Sequence, residues 1–258
     1  MSQELLVILV VIPTAAVVAA LIYVMWSART SARTTWVALV ASVVLAAWGV
    51  ATAVLAISGA YRPGDLTRPP TVGVELAIAL AAMTGFLVFS PALRSLLANQ
   101  RHLIRLNVWR LVGAVFLGLM VAGQAPALWA LPAGVGDVIV GGTAFWVASH
   151  LERPRGRELA VAFNIFGLSD LVVAIGLGFT TSPGPAQLFH TTPTAEIMTR
   201  FPMALVPTFL VPLAFVLHFV SLWQLLGRPW GGSATGAPRR PSAHAAPLDA
   251  SRVESRGS

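Results

Sequence analysis

The chain has no cysteine and no lysine, and only 10% of its 258 residues are charged. Without cysteine there is no disulfide framework, no thiolate nucleophile and no sulfur-ligated metal site. The sequence carries no H-E-x-x-H pair, no P-loop and no dinucleotide fingerprint. No metal or cofactor is therefore expected. What the chain has in quantity is apolar residue, 56% of the total, far above the balance of a soluble domain. All 17 basic residues are arginine. That bias, with abundant Ala, Gly and Val, points to a GC-rich bacterial genome.

The apolar residues fall into seven stretches, at 5–26, 36–58, 72–97, 103–121, 131–149, 158–179 and 201–226. Each approaches the twenty or so residues that an α-helix needs to cross a bilayer. The fold class expected is thus an all-α integral membrane protein, a seven-transmembrane-helix bundle followed by a tail, 227–258. The tail is rich in Gly, Pro, Ser, Ala and Arg and is expected to be disordered. The first stretch follows the acidic Met1-Ser2-Gln3-Glu4 and exceeds a typical signal-peptide core, so it reads as a span. A lysine-linked retinal is excluded.

Arginines sort by connection. The first, third and fifth connections hold Arg29 and Arg33, then Arg94, Arg101 and Arg105, then Arg153, Arg155 and Arg157; the tail adds Arg228, Arg239, Arg240, Arg252 and Arg256. The even connections are poorer: Arg62 and Arg68 beside Asp65, none, and Arg200 beside Glu196. The positive-inside rule then puts the N-terminus outside and the tail in the cytoplasm of a bacterial inner membrane. Trp26, Trp36, Trp146 and Trp223 fall at the cytoplasmic ends, the interfacial position that indole prefers. The net charge of +7 is read as a topology determinant in contact with anionic headgroups, with no nucleic-acid partner.

Two departures from a plain helix are expected. The uncharged segment 122–132, with Pro126, Trp129 and Pro132, reads as an interfacial or re-entrant turn. In the last span, Pro207 and Pro212 each remove a backbone donor and are expected to free the carbonyls of Met203 and Thr208, making a kink or hinge.

Polar groups at depth are the candidate functional residues, because ionisable groups in a bilayer are costly. Helical rise places Glu75, Asp137 and Asp170 roughly 5, 9 and 14 Å from the outer edge, and Arg110, Asn164 and His218 roughly 9–13 Å from the inner edge. An acidic outer layer above a basic and amide inner layer follows, with Arg110 within reach of Asp170. His218 shares a helix face with Pro207, Val211, Ala214 and Ser221. The two aspartates share a local pattern. Gly134-Val-Gly-Asp137-Val-Ile-Val-Gly141 parallels Gly167-Leu-Ser-Asp170-Leu-Val-Val-Ala174. Each puts its Asp on a stripe of small residues, and on consecutive antiparallel helices the stripes can face each other or line a cavity.

Gly-Val-Gly-Asp137 also resembles the GxGD motif of intramembrane aspartyl proteases. The resemblance implies a catalytic dyad of Asp137 and Asp170 sharing a proton. The sequence departs from that family in helix order, in Ser169 where the family has tyrosine, and in Pro-Ala-Leu sequences that precede the motif.

Three function classes remain. The reading leans to a small proton- or cation-coupled transporter, using Asp137 and Asp170 for a proton or a small-molecule substrate. The alternatives are a non-catalytic sensor, assembly or structural subunit, with a protein partner or as a homo-oligomer, and a membrane-embedded protease.

Overall fold

A computed structural model describes residues 1–63 and 71–227. The expected disordered tail, from residue 228 on, and Asp65 and Arg68 lie outside the described residues. Those described are predominantly helical, with no strand among them. Seven helical segments are long and apolar enough to cross a membrane, the architecture of a multi-pass membrane protein.

The helices run in chain order: α1 (Gln3–Ser27), α2 (Ala32–Ser58), α3 (Thr71–Phe89), α4 (Pro91–Leu96), α5 (Gln100–Leu106), α6 (Ala114–Val121), α7 (Ala127–Ser149), α8 (Gly156–Thr181) and α9 (Val211–Leu225). A 3₁₀ stretch, Asn107–Gly113, joins α5 to α6 into one crossing segment. A π-helical turn, Val206–Leu210, leads into α9. Local chemistry sets many of these ends. Ser31 caps α2 in a reciprocal capping box with Thr34. Gly59 closes α2 in the left-handed region at φ 80°.

The third span was expected to continue to residue 97, but α3 stops at Phe89. Pro91 disfavours helical geometry at Ser90. Ser90 instead turns out of the helix and caps α4, its Oγ accepting the Leu93 N–H at 3.2 Å. The turn expected over 122–132 is shorter. Pro126 is the N-cap of α7, and Pro132 sits inside that helix, near its start. The last span begins later than residue 201: the chain turns at 201–204 and the α-helix starts at Val211.

Both irregular segments have a sequence cause. The Asn107 side chain donates to the Leu103 carbonyl at 3.0 Å, taking the acceptor that its own N–H would use in an α-helix. The Asn107 N–H bonds Ile104 three residues back, and the chain continues as a 3₁₀ helix. In the last segment Pro212 has no N–H to give Thr208, and the neighbouring Val211 N–H reaches the Val206 carbonyl five residues earlier. The Met203 carbonyl, expected to be free, accepts the Val206 N–H at 3.0 Å.

α7 is the central element. It packs against α5, the 3₁₀ stretch and α6 on one side and α8 on the other, and α8 packs on α9. These four segments hold the buried Arg110, Asp137, Asp170, Asn107, Asn164 and His218. α1, α2 and α3 lie outside them and expose long apolar faces, such as Val40, Val43, Val44 and Val54 on α2.

Candidate polar cluster and cavity

The small residues that flank the aspartates set the geometry of the site. The stripes of α7 and α8 do not face each other. A Cβ on Gly134 would meet Leu117 at 2.7 Å, and one on Gly141 would meet the Leu111 nitrogen at 2.6 Å, so the α7 stripe packs on the fourth crossing segment. Gly136, the other glycine of the Gly-x-Gly-Asp motif, faces α8: a Cβ there would overlap the Asp170 carboxylate. In the same way a Cβ on Gly113 would overlap Asp137, and one on Gly167 would overlap the His218 ring. Three missing methyl groups thus make room for three polar side chains.

Arg110, on the 3₁₀ stretch, is the hub. Its side chain is fully buried. Nε donates to Asp137 Oδ1 at 2.5 Å, and Nη2 donates to Asp170 Oδ2. Nη1 donates to the Gly167 carbonyl at 3.1 Å and meets His218 Nε2 at 3.1 Å. Arginine only donates, so His218 Nε2 accepts and the ring proton sits on Nδ1. That proton faces Asn164 Oδ1 at 3.0 Å. The Asn164 amide then donates to the Ala160 carbonyl and to Ser221 Oγ, both at 2.7 Å. Gln100 Nε2 donates to the same Ser221 oxygen at 2.5 Å. One line of hydrogen bonds therefore runs from the aspartates to the start of α5. The two layers expected from helical rise are joined through the guanidinium, which bonds both aspartates directly.

Arg110 and Asp170 pair as their depths suggested, and Asp137 completes a triad with one positive and two negative charges. Among the described residues no hydrogen bond joins the two carboxylates. Each gives an oxygen to Arg110, an arrangement opposed to a proton-sharing catalytic dyad. Glu75 is not part of the cluster. It accepts a hydrogen bond from Tyr61 near the end of α2. Burial, and then the Glu75 carboxylate, raise the pKa of the Tyr61 phenol above its ordinary value, so the phenol remains a donor.

A cavity of about 400 Å³ approaches the triad from the end of the bundle that carries Met1. Its rim includes Tyr61, Arg62 and Pro63 after α2 and Ser182–Ala186 after α8. Its walls include Trp109, Phe116, Trp129, Ile175 and Phe179, with Pro207 and Val211 on the last crossing segment. Asp137 lies on the lining, whereas Arg110 and Asp170 do not. Trp129 is held by a hydrogen bond from Nε1 to the Ala174 carbonyl at 3.1 Å and by a tilted contact with Phe116, ring centres 5.0 Å apart. The buried Trp109 Nε1 has no hydrogen-bond partner among the described residues. Reading the sequence by depth of charge passed over Trp109, Trp129 and Phe116, since aromatics are ordinary in an apolar span. Trp129 is marked only by its place between Pro126 and Pro132, and Trp109 only by lying away from the helix ends expected at the inner interface. Among the described residues no group of His, Asp and Glu is placed to hold a metal ion.

A family model described as a domain of unknown function, DUF8737, matches residues 69–226. The chain belongs to the DUF8737 family. Neither a curated protein nor a solved structure matches it. The DUF8737 segment runs from just before α3 to just after α9 and contains Arg110, Asp137, Asn164, Asp170 and His218. α1, α2 and the Tyr61–Pro63 side of the cavity rim lie outside it.

Proposed function

We propose that this DUF8737 protein is a small membrane permease of the bacterial inner membrane that couples solute movement to a proton or cation bound at Asp137. The observation that carries the reading is the unequal charge of the triad. One guanidinium faces two carboxylates, so the cluster accommodates one further positive charge. Asp137 is the carboxylate that the cavity reaches. Asp170, the deepest of the three acidic residues by helical rise, is bonded to Arg110 away from the cavity and acts in this reading as the fixed counter-ion. The arginine distribution supports an outward-opening cavity, since Arg29, Arg33, Arg94, Arg101, Arg105, Arg153, Arg155 and Arg157 all belong to connections at the opposite end. The 3₁₀ stretch, through its Trp109, and the π-helical turn at Pro207 border the cavity, as interrupted helices commonly do at transporter sites.

The test needs no substrate. Proteoliposomes on a solid-supported membrane are given a pH jump and, separately, a sodium jump. The wild-type protein is expected to give a transient current as Asp137 gains or loses its counter-charge, and Asp137→Asn none. Absence of any wild-type transient across the accessible pH and sodium range overturns the reading.

One observation favours a second reading. The line from Asp170 through Arg110, His218 and Asn164 to Ser221 is closed to the cavity and well bonded, as a structural brace would be. A structural or sensory subunit with its own partner would show no transient, while both aspartates would still matter for stability.

A further inference from the structure

We propose that the cavity binds an amphipathic organic monocation, such as a substituted ammonium, with its charge against Asp137 and its apolar body between Trp109, Phe116 and Trp129. The inference rests on the coupled-permease reading in one respect: cation and proton use the same carboxylate in turn.

Four observations converge on this ligand class. Asp137 gives Oδ1 to Arg110, and Oδ2 accepts no hydrogen bond from a described residue. A ligand entering from the rim therefore meets a carboxylate oxygen with the guanidinium held behind it. An anion would face that carboxylate before any positive group at depth; Arg62 stands only at the rim. A bare inorganic ion would draw on several oxygen ligands; besides Asp137 the lining offers side-chain hydroxyls at Tyr61, Thr71, Ser182 and Thr199, whereas most of the wall is tryptophan, phenylalanine, leucine, isoleucine and other apolar surface that an ion alone leaves unused. Aromatic faces instead favour a weakly hydrated organic cation by cation–π attraction. The volume, about 400 Å³, suits a ligand of small-drug size. Binding exchanges one positive charge for another at Asp137: the organic cation enters and, where the carboxylate carries a proton, that proton leaves to solvent.

The probe is benzyltrimethylammonium, with benzenesulfonate as an anion of similar size, titrated calorimetrically into the full-length protein in detergent. The wild-type protein is expected to bind the cation saturably and the sulfonate not at all. Asp137→Asn is expected to weaken the cation by roughly tenfold or more, the loss of one charged contact. Ile175→Trp, which fills the cavity and leaves the charges alone, is expected to weaken it as well, and it keeps the test open should Asp137→Asn fail to fold. Preference for the sulfonate overturns the proposal, as does cation binding unchanged in either variant. The pH-jump currents separate the two ideas. Currents without cation binding sink this inference and leave the permease reading standing. Cation binding without currents at any pH does the reverse.

Discussion

Replacing Arg110 by methionine removes the one positive charge of the triad while keeping a long side chain in its place. Three side-chain acceptors then lose a donor, the carboxylates of Asp137 and Asp170 and His218 Nε2, and the Gly167 carbonyl keeps only its bond within α8. Removing one member of a buried ion pair costs about 3–5 kcal/mol, and a buried acceptor left without a donor costs about 1–3 kcal/mol. Protonation of the abandoned carboxylates caps the total, so Arg110→Met should lose on the order of 4–6 kcal/mol. Asp137→Asn and Asp170→Asn behave differently. Each leaves one carboxylate facing one guanidinium, a balanced pair, and loses only part of a charged hydrogen bond, about 1–2 kcal/mol. The assay is thermal unfolding in detergent followed by tryptophan emission. At roughly 2–4 °C per kcal/mol for a chain of this size, Arg110→Met should melt on the order of 15 °C below wild type and each aspartate variant about 2–8 °C below it. Adding both aspartate changes to Arg110→Met should recover part of the loss, because fewer charges are then stranded. The charge argument is refuted if Arg110→Met melts no lower than Asp170→Asn, or if the triple variant is less stable than Arg110→Met.

The glycine argument is tested by Gly136→Ala, which should push the Asp170 carboxylate off Arg110 and cost about 3 kcal/mol or more, against Gly142→Ala, where a Cβ meets open space and stability should hold or rise by up to about 1 kcal/mol; equal melting temperatures would remove the steric account. For topology, a reporter fused after Arg228 should read cytoplasm and one inserted near Pro183 exterior, and a reversed result at either site would undo the outward-opening cavity.

The seven long apolar helices were legible because the length and polarity that crossing a bilayer requires stand out in a sequence, and their ends were missed where a proline decided the matter, as at Pro91 and before Val211. The buried polar residues were legible for the same reason: a charge stands out in an apolar run. Their partners were less so. Periodicity tells which residues share a face of one helix, and it correctly groups His218 with Ser221. It does not tell which helix that face meets. The stripes of α7 and α8 resemble each other because each helix needs small residues next to a polar side chain, and the likeness was misleading as a guide to contact. Gly134 and Gly141 meet the fourth crossing segment, and Gly167 meets α9. The second glycine of the GxGD motif, which matters most for Asp170, has no counterpart glycine on α8, where Ser169 stands.

The way Arg110 is tied down also bears on mechanics. Its guanidinium grips α7 through Asp137 and α8 through Asp170 and Gly167, and its contact with His218 adds α9. Four crossing segments are thereby fastened at one point near mid-bundle, and sliding any one of them past another would tear several bonds together. That quartet is bonded as one unit. Relative motion is left to α1, α2 and α3, which touch the quartet more sparsely: α1 along the 3₁₀ stretch and α5, α3 along α9 and the Pro207 turn, and α2 at that same turn, where Trp48 leans on Phe209 with ring centres 4.6 Å apart. If a solute does pass through this molecule, the outer three helices are the door and the Trp48–Phe209 contact is where the hinge pin belongs.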